Sequence, residues 1–103
     1  MPKAYWIAQV TVSNPDQYKL YAESAPLAFK KYGALILARG GRSGQMEGKG
    51  RPRNVVIEFP SYDDAVACYN SPEYQAAIKL RTPHSVGDIV IVEGYDGAQP
   101  GDS

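Results

Sequence analysis

Three groups of side chains in this sequence have the chemistry for a site. His84 is the one histidine of the chain, and imidazole alone has an ordinary pKa near neutrality. Placed after a helical stretch it is a candidate general base, although Thr82-Pro83-His84-Ser85 reads equally as a surface turn. The second group is charged residues set in apolar strands. Arg39 alternates with Leu35 and Leu37, and Glu58 alternates with Val56. A charge on an apolar face is paired, sits at a rim, or is functional. Arg39 suits a small carboxylate or phenolate, and a partner across a dimer suits it too. Hairpin spacing keeps Arg39 and Glu58 apart within one chain, with Arg39 falling nearer Asn54. The third group is the tyrosines, eight against two phenylalanines and one tryptophan.

Tyr18, Tyr21, Tyr32, Tyr69 and Tyr74 fall on the inward stripes of two helical segments. A buried phenol needs a hydrogen-bond partner, so cores ordinarily use Leu, Ile or Phe there. Converging phenols predict a cavity with polar rims for a small aromatic or oxygenated molecule; the other reading is hydroxyls that reach solvent at helix edges. Tyr18, Tyr69 and Tyr74, with Arg39 and Glu58, are the candidate ligand-binding residues, and His84 is the candidate catalytic one.

Other features carry less. One cysteine and one histidine make no metal-ligating cluster, so neither a metal nor a cofactor is expected, a lone axial haem ligand being the one opening His84 leaves. Cys68 has no cationic sequence neighbour to activate it and reads as a small buried hydrophobe. The segment from Gly40 to Arg53 is Gly-rich and basic, carrying Arg42, Lys49, Arg51 and Arg53 against Glu47. It fits neither phosphate-loop pattern, and it joins two strands rather than opening a helix. Its charges do not interleave with aromatics, so a solvated hairpin loop is expected and nucleic acid is not.

The elements that position these residues are legible from pattern. Tyr5 to Val12 is a strand. Asn14-Pro15-Asp16-Gln17 opens a helix with a cap, a first-position proline and a capping-box glutamine. Pro26 is expected to kink or restart that helix, and Gly33 to close it. Ala34 to Arg39 and Asn54 to Phe59 are strands flanking the basic loop. Ser61-Tyr62-Asp63-Asp64 opens a second helix, which Ser71-Pro72-Glu73 breaks and restarts. Ile89 to Val92 is the last strand. The order β-α-β-β-α-β predicts an α+β, ferredoxin-like domain over residues 1–95: a four-stranded antiparallel sheet with both helices on one side. Residues 96–103 are expected to be a disordered tail.

Eleven basic residues balance eleven acidic ones, so no net field draws the chain to polyanions. The start lacks a secretory pattern, and no apolar run approaches the ~20 residues of a membrane span. A cytoplasmic protein is expected. Every strand carries large apolar residues on both faces, whereas the helices cover only one. The uncovered face predicts a homodimer packed sheet to sheet.

Five runs resemble the domain-of-unknown-function family numbered 1330: Tyr5-Trp6-Ile7-Ala8-Gln9-Val10, Ala38-Arg39-Gly40-Gly41, Arg53 to Ser61, Tyr69-Asn70-Ser71-Pro72-Glu73-Tyr74-Gln75, and Asp88 to Gly94. The resemblance covers about residues 4–95. It implies a dimeric α+β barrel whose ferredoxin-like subunits pair through their sheets. The wider superfamily includes cofactor-free monooxygenases, muconolactone isomerases and haem enzymes. The resemblance therefore implies either a cofactor-independent oxygenase or isomerase acting on a small oxygenated molecule, or a non-catalytic binding or accessory protein. The Thr82-Pro83-His84-Ser85 turn and Cys68 lie outside the resemblance.

Overall fold

A computed structural model describes residues 2–102. The elements run β1 (Ala4–Val12), α1 (Pro15–Lys31), β2 (Leu35–Arg39), β3 (Arg53–Phe59), α2 (Tyr62–Asn70), α3 (Pro72–Arg81) and β4 (Ser85–Glu93). Short 3-10 turns lie at Thr82–His84 and Pro100–Asp102; residue 103 of the expected tail lies outside the described residues. The sheet order is β2-β3-β1-β4, and each neighbouring pair is antiparallel. This is the ferredoxin-like α+β arrangement. No helix among the described residues is long and apolar enough to cross a membrane.

Helix boundaries follow the capping chemistry. Asn14 accepts from the Gln17 N–H at 3.3 Å to start α1. Ser61 accepts from the Asp64 N–H at 3.1 Å to start α2. Ser71 joins α2 to α3: its hydroxyl accepts from the Tyr74 N–H at 3.2 Å and donates to the Cys68 carbonyl at 2.7 Å. No new helix starts at Pro26, because α1 runs unbroken through it. The proline removes one rung of the ladder, while burial of Ala25, Ala28 and Phe29 holds the turns around it. β4 begins earlier than its apolar run suggests, since Ser85 pairs with Val12 at the far end of β1.

The core lies between the helices and one sheet face. Trp6 is its centre, with Phe29 and Tyr74 packed edge-on at 5.5 and 4.9 Å and Phe59 stacked at 5.9 Å. Small residues on the helices (Ala25, Ala28, Ala65, Cys68, Ala77) let these rings approach the sheet. The opposite face is uncovered. Its register sets Tyr5, Ile7 and Gln9 beside Val92, Val90 and Asp88 on one side and Glu58, Val56 and Asn54 on the other.

The loop between β2 and β3 is less free than a solvated hairpin. Arg51 donates to Asp88 at 3.0 Å and to Thr11 at 3.3 Å. Asn54 donates to Ser43 at 3.2 Å and accepts from Gln9 at 2.9 Å. The loop thus folds over the polar end of the uncovered face. The apolar end, with Leu35, Val90 and Val92, stays open.

Candidate functional site

A cavity of about 330 Å³ opens between α1 and the sheet. Trp6, Val10, Phe29, Ile57 and Ile89 form its apolar walls. Every charged residue lining it is a cation: Lys30, Arg39, Arg53 and Arg81. None of these four takes part in an ion pair among the described residues.

The arginines arrive from three elements. Arg53 is the first residue of β3 and lies opposite Val10, so alternation through Val55 and Ile57 places it on the helix-covered face. Arg39 reaches that face through an irregularity. Leu35 and Ile36 pair with Glu58 and Ile57, whereas Ala38 and Arg39 pair with Val56 and Val55. Leu37 is the extra residue of a β-bulge, and one extra residue exchanges the faces of everything after it. Strict alternation sets Arg39 with Leu35 and Leu37; the bulge turns it to the cavity side instead. Arg81 closes α3 just before the turn into β4, one residue short of the Thr82–His84 turn. Since Val10 and Val12 lie opposite Arg53 and Ser85 respectively, the three arginines gather at the end of the sheet where β1 finishes. The apolar base formed by Trp6, Phe29 and Ile57 lies toward the other end.

Two guanidinium groups are held against phenol rings. The Arg53 carbon Cζ lies 5.5 Å from the centre of the Tyr18 ring, and that of Arg81 lies 5.4 Å from the Tyr21 ring. Such stacking fixes the cation without neutralising it. The Nε atoms of Arg53 and Arg81 are both buried and have no hydrogen-bond partner. Gly40 contributes by its missing side chain. It adopts φ +66°, and a Cβ there would collide with the Arg53 guanidinium.

The phenols form a second polar feature. The Tyr21 and Tyr74 hydroxyls are 2.7 Å apart. Burial, then the neighbouring Tyr74 oxygen, pushes the Tyr21 phenol far above its ordinary value of 10.0, with Arg81 pulling the other way. Burial likewise raises Tyr74, against the opposing pull of the Tyr21 hydrogen bond and of Arg81. Both phenols are therefore protonated at neutral pH. One O–H is used in their mutual bond, which leaves the pair one further donor.

The expected site residues separate in space. Tyr18 and Arg39 line the cavity, and Tyr74 backs it through Tyr21 and Trp6. Tyr69 packs on Trp6 at 5.6 Å but lines a more open cleft between α2, α3 and β4. Glu58 lies on the uncovered face, where it accepts from Lys3 and from the Tyr5 hydroxyl, each at 3.3 Å. An odd offset from Ile57 and Phe59 puts it there, so it takes no part in the cavity. His84 is also outside the lining. It sits in the turn before β4, where its carbonyl accepts from the Ser13 and Asn14 N–H groups at 2.8 and 3.4 Å. Among the described residues, no group of three His, Cys, Asp or Glu could hold a metal ion.

Tyr21, Lys30, Arg53 and Arg81 are the polar cavity residues that sequence reasoning left out of the site. Arg53 continues the Val55, Ile57 and Phe59 alternation backward by one step. Arg81 stands seven residues after Tyr74, on the same helical face.

Solved structures share this fold. A protein of unknown function from Rhodopseudomonas palustris superposes with a TM-score of 0.69 at 17% identity, over 93% of this chain and 85% of that one. SnoaB, a cofactor-independent oxygenase from Streptomyces nogalater, gives 0.68 at 8% identity, over 97% and 99%. A dimeric ferredoxin-like protein of unknown function from Bacteroides fragilis gives 0.55 at 17%, over 89% and 96%. At these identities the likeness is one of fold. No curated protein matches the sequence. The residues 3–95 match the domain of unknown function DUF1330, and the chain belongs to that family.

Proposed function

We propose that the cavity binds a small oxygenated molecule in an anionic form, and that the protein acts on it as a cofactor-independent oxygenase. The observation that carries this reading is the cavity lining: apolar walls with Lys30, Arg39, Arg53 and Arg81 and no acidic residue. Fixed cations in a poorly solvated site favour the ionised form of an enol or phenol and lower its pKa. That matters because dioxygen is a triplet and reacts sluggishly with neutral closed-shell molecules. An enolate or phenolate is electron-rich enough to supply the electrons itself. For an activated CH2 group the balance is simple: one oxygen atom replaces both hydrogens as a carbonyl, and the other leaves with them as water. With both phenols protonated, Tyr21, which lines the cavity, can donate the pair's one remaining O–H to ligand oxygen but cannot abstract a proton. This favours oxygenation of an acidic substrate over an isomerisation that needs a protein base. SnoaB, a cofactor-independent oxygenase of the same fold, is in keeping with the reading.

The acting unit in this proposal is a homodimer. The uncovered face exposes Leu35 at 58%, Val90 at 56% and Val92 at 45%, an apolar surface that a second copy of the same sheet would bury. The Bacteroides fragilis protein of this fold is dimeric. A cytoplasmic location is part of the same proposal.

The test is a panel of small enolisable and phenolic compounds incubated with the protein under isotopically labelled dioxygen. Oxygen consumption with label in the product supports the oxygenase. Panel members that bind and are returned unchanged support a non-catalytic binding protein instead.

A further inference from the structure

We propose that Arg53 and Arg81 form a carboxylate clamp, so that the natural ligand is a small organic acid with a ring-sized apolar body. The proposal rests on the cavity being the ligand site and adds the ligand's chemical class. Each guanidinium lines the cavity and takes part in no ion pair among the described residues, and its Nε is enclosed without a partner. With Nε enclosed, the edge formed by the two terminal Nη atoms is the one left for a carboxylate to meet with two parallel hydrogen bonds. A half-buried cation facing an apolar cavity without a counter-charge is unfavourable. A carboxylate on these Nη edges would supply the missing counter-charge.

Geometry narrows the ligand further. Arg53 comes from β3 and Arg81 from the end of α3, and both line the cavity, so a carboxylate held by the two would tie a strand to a helix. Their rings of support, Tyr18 and Tyr21, lie 5.3 Å apart on α1. The planar cations are therefore held in place before any ligand arrives, which spares the ordering cost of two long side chains. Beyond them the walls are Trp6, Val10, Ile57 and Ile89, with no acidic group. An inorganic anion would leave that apolar volume unfilled, whereas an aromatic or alicyclic carboxylate would occupy both parts.

The experiment compares acids with their neutral isosteres on the unaltered full chain. Benzoate, cinnamate and 2-naphthoate are titrated calorimetrically, each beside its primary amide. The clamp predicts that at least one acid binds about tenfold or more tightly than its amide. Arg53→Met and Arg81→Met should each remove that preference by weakening the acid more than its amide. Acids and amides binding alike would overturn the clamp while keeping the cavity as a ligand site. Neither class binding would overturn both. The acid–amide comparison needs no variant, so a variant that fails to fold does not rescue the proposal.

Discussion

The Tyr21 and Tyr74 hydroxyls lie 2.7 Å apart and tie α1 to α3 beside the cavity. Because each phenol's pKa is raised in the folded state, folding is favoured by keeping both protonated. That contribution is complete below the unfolded phenol value of 10.0. Above it the unfolded chain releases protons that the folded chain retains, so stability falls as pH rises. The expected outcome is a melting temperature that drops steeply from about pH 10 upward, with a shallower slope in the Tyr21→Phe, Tyr74→Phe double variant. Each single variant strands the other hydroxyl and should cost about 1–2 kcal/mol, the double less than the sum. Denaturant melts over a pH series read both.

At Gly40 a side chain costs backbone and site together. The φ of +66° strains any Cβ, and that Cβ meets the Arg53 guanidinium. Gly40→Ala should lose about 1 kcal/mol of stability. It should also weaken acid binding, because the arginine is pushed off its place beside Tyr18. Chemical denaturation and titration with the tightest acid measure the two effects separately. Gly41, whose Cβ would meet nothing within 4 Å, serves as the comparison: Gly41→Ala should leave binding unchanged.

How much of this was legible in the sequence differs from residue to residue. The Asn14, Ser61 and Ser71 caps fixed the helix starts, because capping is local and each signal lies within four residues. Plain alternation in β1 and β3 is enough to separate Trp6, Val10 and Ile57 from Tyr5, Ile7 and Glu58. Arg39 could not be placed by the same rule. The bulge at Leu37 comes from how β2 pairs with β3, and no local pattern in Leu35-Ile36-Leu37-Ala38-Arg39 announces it. Arg53 was hidden for a different reason: its charge and the neighbouring Pro52 resemble the loop more than the strand. The partnering of Tyr21 with Tyr74, across 53 positions of sequence, depends on packing between two helices and has no sequence signal beyond each lying on an inward stripe.

Cys68 is fully buried, and burial pushes its thiol up to about 12. A thiol so placed is inert in the folded protein. Reaction with an aromatic disulfide reagent at pH 8 should be slower than that of the unfolded chain by the cost of opening the α2–α3 corner. Labelling of native protein as prompt as that of the unfolded chain would contradict the placement.

The uncovered face predicts the assembly. Val90 lies opposite Ile7 at its centre. Val90→Lys should convert a wild-type dimer to a monomer at micromolar concentration while leaving the far-ultraviolet dichroism unchanged. Sedimentation velocity on the two proteins decides it, and a wild type that is already monomeric sinks the dimer proposal.

The most direct test of the cavity as a ligand site uses Trp6, the one tryptophan in the chain and part of the cavity wall. Its indole N–H gives a single resonance in a proton–nitrogen correlation spectrum. Titration with the panel of small aromatic acids, phenols and quinones should move that resonance saturably for at least one compound. Ala22→Phe, which projects into the cavity from a half-buried position of α1, should abolish the shift while the protein stays folded. An indole resonance that no compound moves, or one that still moves when the cavity is filled, would contradict the assignment of this cavity as the site.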